Sequence, residues 1–350
     1  MGAQSILEVT NLSKNYGMLQ ALKDVSFSLE AGRTYGFIGE NGAGKTTCIR
    51  ILAGLTRPDA GNVTAMGHDF PQQASEARRR MGFMVERPIY HDCLTVAQNL
   101  KLQMQLYGVK DYDQIPALIE RVGLKGVEKR RLKDFSLGMK QRLGIAMTLA
   151  NKPDLLVLDE PVNGLDPVGM VDVRNILKQL NREGMTIFLS SHILAELYHL
   201  ATDYIIIHRG QIVRRLALAE LNQACRKKLK VVTSDCSILE DAVRTRYPDV
   251  QLQRMSSDEL HIYSENISGE DIGSIALENQ IVLRELSIEG DDLETFYMKT
   301  IAAAADARLE AAGDSDGRNS SGPGQNGRGR GSHDSGEHAH CAQTQGDKNA

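Results

Sequence analysis

Gly39-Glu40-Asn41-Gly42-Ala43-Gly44-Lys45-Thr46 fits the pattern G-x-x-x-x-G-K-[ST] at every position. Small residues let successive backbone N–H groups curl around an anion. A helix starting at Lys45 points its positive end at the same anion. Lys45 is therefore expected to reach the β- and γ-phosphates of a nucleotide, and Thr46 to hold Mg²⁺. Thr47 is expected to support the phosphates. The plain alternative is a glycine-rich strand-to-helix turn with no ligand. The complete motif, with an apolar strand before it and a helical pattern after it, weighs against that alternative.

A second stretch has matching chemistry. Leu155-Leu156-Val157-Leu158-Asp159-Glu160 is an apolar strand that ends in two carboxylates. Carboxylates are costly in a core unless a metal or donors pair with them. At the C-terminal edge of a parallel sheet they belong to the ligand crevice. Asp159 is expected to orient Mg²⁺, through water. Glu160, one position on, turns toward the γ-phosphate and is the candidate for polarising an attacking water.

Both stretches need a scaffold, and the pattern supplies one. Between Ile6 and Ile212, strand-like and helix-like segments alternate. Phe27–Leu29, Thr34–Ile38, Met81–Val85, Leu155–Asp159, Thr186–Ser190 and Tyr204–His208 read as strands. Lys45–Leu55, Val96–Tyr107, Gly138–Ala150 and Val168–Arg182 read as helices, the first stopping near Arg57-Pro58. Near-continuous apolar strands between helices indicate an α/β fold with a buried parallel sheet. After about Ala219 the composition shifts. Leu229–Val232, Gln251–Arg254 and Glu259–Tyr263 read as short strands, with helices over Ser237–Arg246 and Ile272–Asn279. This is a small α+β domain over 220–300. Residues 301–350 are expected to be a disordered tail rich in Gly, Ser and Asp. His333, His338 and His340 read as solvated tail residues rather than metal ligands.

At this point the chain resembles the nucleotide-binding subunits of ABC transporters, over roughly Ile6 to Ile212. The stretch that carries the resemblance is Phe135-Ser136-Leu137-Gly138-Met139-Lys140-Gln141-Arg142, similar to the family signature LSGGQ. Ser136 and Gly138 keep the ligand-facing positions, while Phe135, Leu137 and Met139 depart from the pattern. Read alone, this segment is also an amphipathic helix with a serine cap. The resemblance implies a P-loop ATPase core over 1–219, with a helical subdomain over about 88–150. It implies that Tyr16, in Lys14-Asn15-Tyr16-Gly17, stacks on adenine. It implies that Asp166, in Asn163-Gly164-Leu165-Asp166, contacts a partner's phosphate loop. His192, in Ser190-Ser191-His192, would contact the γ-phosphate. The resemblance implies that ATP is gripped by Gly39, Asn41, Gly42, Ala43, Gly44, Lys45, Thr46 and Thr47 of one copy and closed over by Ser136 and Gly138 of another.

One position departs further. The loop after Met81–Val85 carries Glu86, within Val85-Glu86-Arg87-Pro88-Ile89-Tyr90, where the family has a glutamine that touches Mg²⁺ and water. Glutamate still accepts from water or binds a metal, but adds a charge. Glu86, the Phe-Ser-Leu-Gly-Met-Lys signature and the trailing domain together look like the bacitracin and lantibiotic resistance branch. That branch implies a homodimer at the cytoplasmic face of the membrane, peripheral to a separate permease, exporting a peptide antibiotic or other drug. Glu86–Leu100 would couple to the permease, and Ile89 and Tyr90 are either a docking groove or local core.

Bulk properties set the outer bounds. The 350 residues suffice for two domains and a tail, and the net charge is −4. That balance argues against binding nucleic acid by bulk charge. Cys48, Cys93, Cys225, Cys236 and Cys341 show no metal or disulfide spacing, and with no signal peptide a reducing compartment is expected. No run approaches a membrane span. Two rival functions remain: a DNA-repair or translation ATPase of the same superfamily, and a non-catalytic regulator that uses ATP only to dimerise. A single cassette without a long heptad run opposes the first, and Glu160 with His192 opposes the second.

Overall fold

The chain begins with a long antiparallel hairpin, β1 (Ser5–Tyr16) and β2 (Leu19–Glu30), turned at Gly17. The computed structural model describes residues 5–264, 267–290 and 292–316. β3 (Thr34–Ile38) follows, buried at every position, and then α1 (Lys45–Ala53). α1 stops two residues earlier than its apolar pattern suggests. Gly54 takes a left-handed φ of 79° and caps it, donating to the carbonyls of Arg50 and Ile51. β4 (Ala60–Ala65), β5 (His68–Asp69), α2 (Ala74–Arg79) and β6 (Met81–Met84) come next. β1, β2, β4 and β5 form an antiparallel sheet in the order β2-β1-β4-β5.

The helical stretch holds α3 (Val96–Leu106), α4 (Ile115–Arg121) and α5 (Leu137–Thr148). Thr95 and Gln98 close a capping box at the start of α3. The main sheet resumes with β7 (Leu155–Leu158), α6 (Pro167–Arg182), β8 (Thr186–Ser191), α7 (Leu194–Tyr198), β9 (Asp203–His208) and β10 (Gln211–Ala217). Its order is β10-β9-β3-β8-β7-β6, parallel except for the β10–β9 pair. One face packs on the antiparallel sheet, where Phe188 stacks 5.5 Å from Phe27 and tilts 5.2 Å from Phe37. The other face packs on the helices. The C-terminal ends of β3, β7 and β8 therefore meet at one edge. That edge is where an open parallel sheet places its ligand crevice.

α8 (Leu218–Ala224) still packs on this core through Leu221. The accessory domain then runs β11 (Lys228–Thr233), α9 (Cys236–Arg246), β12 (Gln251–Arg254), β13 (Glu259–Tyr263), α10 (Gly269–Glu278) and β14 (Leu283–Glu289). Its sheet is wholly antiparallel, ordered β12-β13-β11-β14. This is the split βαβ arrangement, with a core of its own around Leu229, Val231, Leu239 and Ile272. β14 goes beyond the sequence reading. It is an edge strand, largely exposed and charged, so it shows no buried face to read.

The expected tail boundary at 301 is corrected. α11 (Leu293–Asp316) continues through it. Phe296, expected to face inward, is buried, and so is Ile301. Both anchor the helix on the core, and the alanines at 302–305 favour helix. Residues 1–305 form one compact unit. The tail beyond 316, with its three histidines and Cys341, lies outside the described residues.

Candidate functional site

The phosphate loop joins β3 to α1, and its glycines are required by space. A Cβ on Gly39 would meet the Ile207 carbonyl oxygen at 2.5 Å, and one on Gly44 the Ala21 carbonyl oxygen at 2.6 Å. Gly42 and Gly44 also have left-handed φ of 82° and 109°. Ala43 is buried and accepts from Gly210 N–H at 2.9 Å. Asn41 is exposed. Lys45 is buried, and its Nζ donates to the carbonyls of Gly39 at 2.6 Å and Glu40 at 3.2 Å. Thr46 and Thr47 are half-buried on the first turn of α1.

β7 brings its carboxylates to the same place. Asp159 is 1% exposed. Ser190 Oγ donates to Asp159 Oδ1 at 2.6 Å and accepts the Glu160 N–H at 2.9 Å. One hydroxyl thus fixes both acids. Glu160 has a left-handed φ of 48°, a strained backbone for a glutamate. Its Oε1 stands 3.4 Å from Lys45 Nζ, and its Oε2 stands 2.9 Å from His192 Nδ1. Lys45, Glu160 and His192, drawn from three separate segments of the sequence, form one contiguous row.

A cleft of about 510 Å³ opens beside this row, lined by Thr46, Glu86, Asp159, Glu160, Asn163 and Leu137 among others. The donors suit Mg²⁺, which takes oxygen ligands and is bound by one or two protein groups plus phosphate. Among the described residues no cluster of three or more His, Cys, Asp or Glu forms a self-sufficient metal cage. Glu86 reaches the cleft with a left-handed φ of 60°, and its carboxylate pairs with Arg50 on α1. The charge added by glutamate is thereby matched by a cation that the sequence pattern gave no reason to single out.

The signature residues sit at the start of α5. Ser136 is its N-cap and accepts from Met139 N–H at 3.3 Å, with Leu137 exposed beside it. Gln141, which the signature stretch includes without giving it a role, donates to the Pro161 carbonyl at 2.7 Å and ties α5 to the segment after Glu160. Asp166 caps α6 through Gly169 N–H at 3.0 Å. Within this single chain, the described hydrogen bonds of Ser136 and Asp166 serve their own helices. Tyr16 is 45% exposed at the end of β1. The Lys14 ammonium lies 5.5 Å from its ring centroid, held by Asp59 at 2.8 Å. The other Asp59 oxygen accepts Asn15 N–H at 2.6 Å. Lys14 first, then Asn15, hold the Asp59 carboxyl below the usual range.

Ile89 and Tyr90 differ in exposure. Ile89 is 86% exposed at a groove that also includes Leu55, Phe83, Tyr107 and Met147. Tyr90 packs against the core, with Lys140 5.3 Å from its ring.

This geometry meets its counterpart in known proteins. The ABC transporter family model matches residues 22–163. The bacitracin transport ATP-binding protein BcrA of Bacillus licheniformis is 35% identical, over 85% of this chain and 97% of that protein. The chain belongs to the ABC transporter ATP-binding proteins. A lantibiotic transport ATP-binding protein, SrtF of Streptococcus pyogenes, is 42% identical over 59% of this chain and 89% of its own length. A solved ATP-binding subunit of an ABC transporter superposes with a TM-score of 0.56 at 30% identity, covering 62% of this chain and 92% of that one. The α/β core with its phosphate loop is thus the ABC ATPase fold. The match to BcrA along 97% of that protein's length takes in the trailing domain as well. No helix among the described residues is long and apolar enough to cross a membrane.

Proposed function

We propose that this chain binds and hydrolyses Mg-ATP and drives a separate membrane permease. The observation that carries the reading is the row Lys45–Glu160–His192 at the mouth of the phosphate loop. Lys45 is placed to exchange the Gly39 and Glu40 carbonyls for the β- and γ-phosphates, a stronger, charge-assisted pairing. Glu160 polarises the attacking water, oriented by His192 and by the Ser190 hydroxyl beneath it. His192 contacts the γ-phosphate. Thr46, and Asp159 through water, would hold Mg²⁺, assisted by Glu86. The metal would supply charge neutralisation on the phosphates. Tyr16 stacks on adenine.

One chain holds half of each site. Ser136 and Gly138 of a second copy close over the γ-phosphate, and Asp166 contacts the partner's phosphate loop. Two such sites make a two-fold, head-to-tail homodimer. Closure excludes water and strengthens the electrostatics at the transferring phosphoryl. The exposed Ile89 groove docks the permease, so the dimer works at the cytoplasmic face of the membrane. The likeness to bacitracin and lantibiotic transport proteins points to export of a peptide antibiotic or other drug.

The test is to purify the chain, titrate it with Mg-ATP and follow phosphate release, then extract it from membranes in mild detergent and identify its companion. Nucleotide binding with an integral membrane partner is expected. A chain that binds no Mg-ATP would overturn the reading.

A further inference from the structure

Tyr297 lies on α11, a helix that follows the accessory domain yet packs on the ATPase core. Its neighbours Phe296 and Ile301 are buried in one cluster with Ile38, Ile206 and Leu216. The Arg214 guanidinium stands 5.1 Å from the Phe296 ring. Ile38 ends β3, so the cluster reaches the residue directly before the phosphate loop. Tyr297 itself is 9% exposed. Its hydroxyl is buried without a completed hydrogen bond, beside Glu40, the second residue of the loop, whose carboxylate and backbone N–H both bear on it. Burial pushes the phenol up to about 12, so it stays neutral at physiological pH.

A buried hydroxyl with no completed partner is disfavoured, and a native one needs a physical reason. The Glu40 peptide supplies it. The Glu40 N–H shares its peptide plane with the Gly39 carbonyl, which accepts from Lys45 Nζ at 2.6 Å. Any turn of Lys45 toward phosphate releases that carbonyl and frees the peptide to shift. We propose that Tyr297 is a positioning residue for the phosphate loop: as Lys45 moves to the phosphates of ATP, the Glu40 N–H settles onto Tyr297 Oη. The C-terminal helix then holds the loop in its nucleotide-bearing form and takes a share in ATP affinity. This rests on the reading of Lys45 given above.

Full-length wild type and Tyr297→Phe are compared by thermal unfolding without nucleotide and by titration with a non-hydrolysable ATP analogue plus Mg²⁺. The variant keeps the ring and loses only the hydroxyl. It should unfold at no lower a temperature than wild type without nucleotide, and bind the analogue roughly three- to tenfold more weakly, the worth of one hydrogen bond. Equal affinity in the two proteins overturns the proposal, as does a lower unfolding temperature with affinity unchanged, which would make Tyr297 a packing residue only. If wild type binds the analogue and the variant matches it, the inference alone fails. If wild type binds nothing, the phosphate-loop reading fails and the inference with it.

Discussion

His192 Nδ1 and Glu160 Oε2 are 2.9 Å apart, joining the residue after β8 to the acid at the end of β7. The other Glu160 oxygen faces Lys45 at 3.4 Å, so one carboxylate links His192 to Lys45. Ser190 holds the backbone of that acid in its strained, left-handed form.

Removing the carboxylate charge should therefore stop turnover without emptying the site. Glu160→Gln keeps the shape and a hydrogen-bonding oxygen, but is a far poorer proton acceptor. Steady-state hydrolysis should fall about 100-fold or more, the lower range for general-base loss, while ATP still binds. Phosphate release at the wild-type rate would refute the role.

Arg50 and Glu86 should behave as a unit in turnover. Their pair is partly exposed, so it adds little to stability. Its value is electrostatic: Glu86 lines the same cleft as Asp159 and Glu160, and Arg50 offsets its charge. Arg50→Met alone should lower ATP turnover about two- to tenfold, and adding Glu86→Gln should recover most of the loss. Independent, additive effects of the two changes in this double-mutant cycle would separate Arg50 from the site.

Asp59 should matter to the base but not to the phosphates. It holds both Lys14 and the Asn15 N–H, directly before Tyr16. Asp59→Ala should weaken ATP binding about two- to fivefold, the size of an exposed cation–π and loop-anchoring contribution, and leave inorganic triphosphate affinity unchanged. Parallel loss of both ligands would show a general loosening instead.

Cysteine chemistry gives a pH-dependent check on burial. Cys48 is buried in α1, and burial pushes its thiol up to about 12. The thiolate is the reactive form, so at pH 8 roughly one Cys48 in ten thousand is reactive, and that fraction rises as pH rises toward the shifted value. Cys93 is exposed. Brief alkylation at pH 8 followed by peptide mass mapping should mark Cys93 and spare Cys48 until the protein is denatured. Equal labelling of the two in folded protein would contradict the packing of α1.

What could be read in advance was what lies contiguous along the chain. Gly39–Thr46 and Leu155–Glu160 each carry their chemistry within one short segment, and the strands that present them are buried enough to show in the pattern. Ser190, Arg50, Gln141 and Asp59 act through contacts with residues at least 20 positions away, and their types give no hint alone. β14 escaped notice because an exposed edge strand has no hydrophobic face to repeat. The 301 boundary failed for a different reason. Alanines build no core of their own, but they extend a helix already anchored by Phe296 and Ile301.

The central claim is that two copies share each ATP, and one measurement tests it most directly. Glu160→Gln protein is run by size-exclusion chromatography with light scattering, with and without saturating Mg-ATP, beside the same protein carrying Ser136→Arg. The account predicts twice the monomer mass with Mg-ATP, monomer mass without it, and monomer mass throughout for the Ser136→Arg form. A Glu160→Gln chain that binds Mg-ATP and still runs as a monomer, or a Ser136→Arg form that pairs as readily, would contradict it.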